Sequence, residues 1–201
     1  MGKTGNAERI LRLASERGAV RTRDLAGLRI PRTILSRLLE SGRLVQISRG
    51  LYTLPDHTRS EQHQLADVAV RSPQGVFCLL TALRFHELTT QSPHEIWLAI
   101  PNKAHPPKLG YPPLKVVRFS GAALTQGVET HMVDGISVRV YSVAKTVADC
   151  FKYRNKIGLD VALEALRESR REKRATNDEL WHYAKICRVA NIIRPYMESI
   201  E

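Results

Sequence analysis

The chain has 201 residues, 43% of them apolar and 25% charged, enough to build one or two domains with their own cores. Lysine and arginine outnumber aspartate and glutamate 31 to 20, and the resulting net charge of +11 favours a polyanionic partner such as DNA, RNA or an acidic protein without bearing on the fold. Cys78, Cys150 and Cys187 are odd in number and lack Cys-x-x-Cys spacing, and the start has no apolar signal-like core. These features argue against a disulfide framework, a zinc knuckle and secretion, and the expected location is the cytoplasm.

Ala7, Ile10, Leu11 and Ala14 recur at helical spacing, with Gly18 suited to the position just past a helix end. Thr22 is expected to cap a short second helix carrying Leu25 and Leu28, with Asp24 in its first turn. Pro31 suits the first position of a third helix, which Gly42 would end. On that helix Ile34, Leu35, Leu38 and Leu39 share one side, whereas Arg32, Thr33, Ser36, Arg37 and Glu40 share the other. Arginine reaches guanine O6 and N7 through a bidentate fork, and serine or threonine reaches a base edge or a phosphate. The wet side is therefore suited to a DNA major groove.

Two strands are expected next, Leu44–Ser48 and Leu51–Leu54, joined by Arg49-Gly50 as a basic wing. Arg43 and Arg49 would meet phosphates beside the groove. Residues 1–57 hold eleven basic and five acidic side chains, a net +6 of the chain's +11 in under a third of its length. The expected DNA-binding set is Thr22, Arg23, Arg32, Thr33, Ser36, Arg37, Arg43 and Arg49, in a winged helix-turn-helix over 1–57.

From 58 to 201 the pattern predicts a second, mixed α/β domain with a small sheet packed by helices, making the whole α+β. Helices are expected over Glu61–Arg71 and Leu79–Leu88, then a strand over Glu95–Ile100 with Ile96, Leu98 and Ile100 on one face and Trp97 on the other. Asn102–Pro113 is a long proline-rich loop with Lys103, His105, Lys108 and Tyr111, read either as a contact surface or as a solvated excursion held extended by its prolines. Strands follow over Leu114–Phe119, Val128–Val133 and Ile136–Tyr141, the last two closed by Asp134-Gly135. Ser142 is expected to cap a helix that buries Val143, Val147 and Phe151 while presenting Lys145, Thr146, Asp149 and Lys152 to solvent. Leu159, Ala162, Leu163 and Leu166 mark the next helix, and Thr176-x-x-Glu179 is a capping box for a last helical region through Trp181 and Ala184.

Catalytic patterns are missing. No Asp-x-Lys or Glu-x-Lys of the nuclease kind occurs, nor a phosphate-binding Gly-x-x-x-x-Gly-Lys, a Gly-x-Ser-x-Gly or a His-Glu-x-x-His. The seven histidines show no ligand spacing, and His86, at a helix end, reads as a hydrogen-bonded structural group. The chain is expected to be a regulator rather than an enzyme, with no metal or cofactor and no membrane partner.

The segments SRGLYTLP at 48–55, TALRFHELT at 81–89 and VYSVAKTVADCFKYRNKIG at 140–158 resemble the AbiEi family of antitoxins of type IV toxin–antitoxin operons. The resemblance implies an N-terminal winged helix that represses its own operon at inverted repeats, and a C-terminal domain that counters a nucleotidyltransferase-like toxin. It places Thr146, Asp149 and Lys156 in the antitoxic region. The residues alone leave open a solitary transcription factor whose second domain senses a ligand or partner, and a divergent nucleic-acid enzyme.

Overall fold

The computed structural model describes residues 2–48, 50–56 and 61–199. It is mixed α+β and divides into two compact units, the first formed by residues 1–71 with 132–137, the second by 72–131 with 138–201. The helix over 63–71 clusters with the first unit.

In the first unit the order is α1 (Gly2–Arg17), β1 (Val20–Arg21), α2 (Thr22–Gly27), α3 (Arg32–Glu40), β2 (Val45–Ser48), β3 (Leu51–Thr53) and α4 (His63–Arg71). Ile10, Ala14, Val20, Leu25, Ile30, Ile34, Leu35, Leu38 and Leu44 form one buried cluster, the apolar stripes of α1 and α3 meeting as their spacing requires. The turn from α2 to α3 puts Arg29 at φ 55, and the Ile30 N–H returns to the Leu25 carbonyl at 3.0 Å. Pro31 is the capping residue with extended backbone, one place earlier than expected; its fixed φ suits both positions.

The cap of α2 differs from expectation. Thr22 is already helical, Arg21 is the cap, and the Asp24 carboxylate accepts the Arg21 N–H at 2.9 Å. The Thr22 N–H instead donates to the Gly50 carbonyl at 3.0 Å, tying the tip of the β2–β3 hairpin to the start of α2. The two residues of β1, too short to read from sequence, add a third strand in the order β1-β3-β2, with both pairings antiparallel. Thr53 is buried and closes the arrangement by donating its hydroxyl to the Gly18 carbonyl at 2.6 Å.

The second unit contains β4 (Val76–Phe77), α5 (Leu79–Phe85), β5 (Ile96–Pro101), β6 (Leu114–Phe119), α6 (Ala122–Thr125), most of β7 (Val128–Val133) and of β8 (Ile136–Tyr141), whose joined ends over 132–137 cluster with the first unit, then α7 (Val143–Lys152), α8 (Arg154–Ile157), α9 (Leu159–Arg171), α10 (Asn177–Ile186) and α11 (Ala190–Ser199). Its sheet runs β6-β5-β4-β8-β7. The two-residue β4 sits at its centre, antiparallel to β5 and parallel to β8. Trp97, Ala99, Val117, Phe119 and Tyr141 lie in the same buried cluster as residues of α5, α7, α9, α10 and α11. Ile96, Leu98 and Ile100 are buried as well as Trp97 and Ala99, so β5 is covered on both faces.

α5 stops at Phe85, three residues short of expectation. Glu87 takes a left-handed conformation at φ 57, and the Leu88 N–H returns to the Leu83 carbonyl at 2.8 Å, a turn that ends the helical run. His86 is buried and its Nε2 lies 2.7 Å from the Tyr141 carbonyl. Burial lowers its pKa, and the bond to the Tyr141 carbonyl opposes that.

The Thr176 box forms as read. Its hydroxyl accepts the Glu179 N–H at 3.2 Å, while the Glu179 carboxylate accepts the Thr176 N–H at 2.8 Å and so lies below its ordinary pKa. Thr176→Ala is expected to destabilise the second unit by about 1 kcal/mol. Urea unfolding of parent and variant checks this, and superimposable curves would show that the cap contributes nothing.

Candidate nucleic-acid interface

The buried stripe of α3 dictates where its other side points. Ile34, Leu35 and Leu38 are sealed in the first unit's core, so Arg32, Thr33, Ser36, Arg37 and Glu40 stand in solvent on the opposite side. Two clefts flank that side. One, of about 530 Å³, lies between α3 and the hairpin and is lined by Thr22, Arg32, Leu35, Ser36, Leu39, Gln46, Gly50 and Tyr52. The other, of about 300 Å³, lies between α3 and α1 and is lined by Ala7, Ile34, Arg37, Leu38, Ser41 and Arg43. No carboxylate lines either cleft among the described residues.

Thr22 and Arg23 open α2 beside the hairpin and line, with Arg21, Gly50 and Val70, a smaller hollow of about 150 Å³. Of the sequence-derived set, Arg23, Arg32, Thr33, Ser36, Arg37 and Arg43 are exposed and Thr22 is half-buried. Arg49 lies outside the described residues. Glu40 is the one acid on the exposed side of α3, and it sits in the last turn, away from Arg32 at the helix start. The result is a convex helix edge with cationic and neutral donors on both flanks, a form suited to phosphate and base-edge contacts.

Gln46 and Tyr52 were not singled out by sequence reasoning, yet they line the larger cleft and face each other in the β2–β3 register. The signal lay in the hairpin: Gln46 is the one amide in an otherwise apolar strand start, and cross-strand pairing puts it on the face of Tyr52. Arg21 is instead drawn into the ion pair with Asp24 at 3.5 Å and serves the cap.

In the second unit the expected exposure of α7 is corrected. Lys145, Thr146 and Asp149 are 0%, 0% and 1% exposed, and only Lys152 of the four polar residues reaches solvent. The reason is that α7 packs on the sheet and is also covered by α5, α9, α10 and α11, so its polar stripe has no free side. Lys145 Nζ lies 2.6 Å from Asp149 Oδ2 and sits over the rings of Tyr141 and Phe119 at 4.1 and 4.8 Å. The Cys187 thiol donates to the other Asp149 oxygen at 3.2 Å, and the Thr146 hydroxyl donates to the Tyr141 carbonyl at 3.2 Å. Burial raises the Asp149 pKa, and Lys145 opposes it. Lys156 stands apart on the surface, 5.6 Å from the Tyr153 ring centre.

All three cysteines are free and buried, and burial raises each thiol's pKa. Among the described residues no group of three His, Cys, Asp or Glu side chains is placed to hold a metal ion. No helix of the described residues is long and apolar enough to cross a membrane.

Residues 8–55 match a family model described as a transcriptional regulator, AbiEi antitoxin. Among curated proteins none matches the chain significantly. The family match falls wholly within the first unit and spans α1 through the hairpin, the same elements that build the exposed side of α3. The fold of that stretch, three helices followed by a strand hairpin, fits the winged helix that the matched family implies.

Proposed function

We propose that the chain is a DNA-binding transcriptional regulator of the antitoxin type, which represses its own operon and counters a nucleotidyltransferase-like toxin. The observation that carries the DNA reading is the exposed side of α3, flanked by two clefts whose described linings hold arginine, threonine, serine and glutamine and no acid. Arg32, Thr33, Ser36 and Arg37 read base edges in the major groove. Thr22, Arg23 and Arg43, with Arg49 on the hairpin, meet phosphates and set register. An inverted-repeat operator then requires two heads about 34–36 Å apart, or a multiple of that spacing.

A footprint on the chain's own promoter region across a salt series tests partner, symmetry and register together. The expected result is protection of two half-sites that weakens steeply with salt. Protection of no sequence in preference to bulk DNA would overturn the regulator reading.

The toxin-facing part rests on the similarity of residues 140–158 to antitoxins of this family. In this reading Thr146 and Asp149 act by holding α7 in place, and Lys156 is the member available to a partner. A nucleotidyltransferase-like reading frame beside the gene supports the paired system, and its absence favours a solitary regulator.

One observation favours a ligand-sensing second unit as the alternative: an open cleft of about 450 Å³ between α10 and α11, lined by Asn177, Asp178, Trp181, Arg194, Met197 and Glu198. Arg194 and Lys185 lie against the Trp181 ring at 5.1 and 5.6 Å. The regulatory reading carries no catalytic step, and incubating labelled DNA and RNA with Mg²⁺ or Mn²⁺ checks it: cleavage by the purified chain would replace regulator with enzyme.

A further inference from the structure

From Ile96 to Val128 the chain contains no aspartate or glutamate, yet it carries Lys103, Lys108, Lys115, Arg118 and His105. This segment holds β5, the loop over 102–113, β6 and α6, and β6 lies at the end of the sheet. Two of its cations are already engaged. Lys115 pairs with Glu95 at 3.8 Å and lies near the Trp97 ring, and Arg118 Nη1 donates to the carbonyls of Pro101, Asn102 and Ala104 at 3.2, 2.5 and 3.0 Å. Arg118 thereby braces the first turn of the loop. Pro106, Pro107, Pro112 and Pro113 restrict the rest, so little conformational freedom remains to be lost on binding.

What this braced loop offers to solvent is Lys103, His105 and Lys108 together with Tyr111, whose side chain is 71% exposed, the most exposed large hydrophobic among the described residues. Charge alone would fit any polyanion. A largely exposed aromatic residue in the same loop as these lysines adds a preference, because a ring gains most where a base face is open to stack on, and in a duplex those faces are occupied by neighbouring bases.

We infer that the loop over 102–113 is a binding surface for single-stranded nucleic acid, with Tyr111 stacking on a base and Lys103 and Lys108 meeting flanking phosphates. This surface belongs to the second unit and stands independently of duplex recognition by α3.

The test uses the full chain carrying Arg32→Ala, Arg37→Ala and Arg43→Ala, so that binding through the first unit is suppressed and the two readings fail separately. Fluorescence anisotropy is measured with dye-labelled oligouridine, oligothymidine, an abasic strand and a duplex, each about twelve nucleotides or pairs long. Both base-bearing single strands are expected to bind more tightly than the abasic strand and the duplex. Tyr111→Ala should weaken them about tenfold and Tyr111→Trp should restore binding. Lys103→Ala with Lys108→Ala should reduce the salt slope by about 1.4. Preference for only one of the two strands identifies RNA or DNA as the source and supports the inference. It is overturned if Tyr111→Ala binds like its parent, if the abasic strand or the duplex binds as tightly, or if single strands do not bind and only an acidic protein does. Unchanged thermal melting of the Tyr111 variants separates loss of stacking from loss of fold.

Discussion

Lys145→Met is expected to destabilise the second unit by about 3–5 kcal/mol near neutral pH, because it leaves the Asp149 carboxylate buried without its cation. Lys145 and Asp149 are 0% and 1% exposed and 2.6 Å apart, with no water-facing route for the charge that remains. A urea slope of about 1–3 kcal/mol per molar turns this loss into a midpoint shift of a molar or more. Replacing both partners, with Lys145→Met and Asp149→Leu together, should recover most of the loss, since packed apolar groups can replace a buried pair.

The single variant should also acquire a pH dependence of definite sign. Burial already raises the Asp149 pKa, and Lys145 is the strongest group opposing that rise. Without Lys145 the folded-state value climbs further above the unfolded one, so the folded chain binds the proton more tightly. Stability then falls as pH rises from the ordinary carboxyl range towards the raised folded value. Unfolding midpoints at about pH 5 and about pH 7.5 read this directly: the variant should lie closer to the parent at the lower pH. A variant as stable as the parent at both would mean that no buried charge is left behind.

Arg37→Ala is expected to weaken binding to the operator by about 1–3 kcal/mol, about 5- to 150-fold, and to relax preference at one base pair. Arg43→Ala should weaken binding to every duplex alike and lower the salt slope by about one unit. The contrast rests on position. Both line the cleft between α3 and α1, but Arg37 is an exposed residue of α3 itself, whereas Arg43 follows the helix beyond Gly42. Titrations against the operator and against a scrambled duplex, each across a salt series, separate the two effects. Equal and sequence-blind losses from both variants would remove base reading from Arg37.

The side chains that seal Lys145 show why its burial was not legible in advance. Gly127, at φ 72, brings the start of β7 so close to α7 that an added Cβ would meet Lys145 Cβ at 2.7 Å and Tyr183 Cε1 at 3.0 Å. Its carbonyl accepts the Ser142 N–H at 2.7 Å, which fixes that approach at the helix cap. Helical spacing reports which residues share a side of α7, but it cannot report that α9, α10 and α11 later cover the polar side. A lysine and an aspartate four residues apart read as an exposed pair because most such pairs are exposed.

The elements whose signals are local were legible in the chain alone. These include the apolar stripes of α1 and α3, the Gly18 and Gly42 helix ends, the Asp134-Gly135 hairpin, the Ser142 and Thr176 caps and the polar side of α3. Each follows from neighbours within a turn or two of chain, where periodicity and capping chemistry act. Long-range packing settled what local signals left open: the two-residue strands β1 and β4, the coverage of β5 on both faces, the use of the Thr22 N–H by the hairpin, and the enclosure of Lys145 and Asp149. Those outcomes depend on residues distant in sequence arriving at one place, and two residues of strand or one stripe of helix carry no record of what will pack against them.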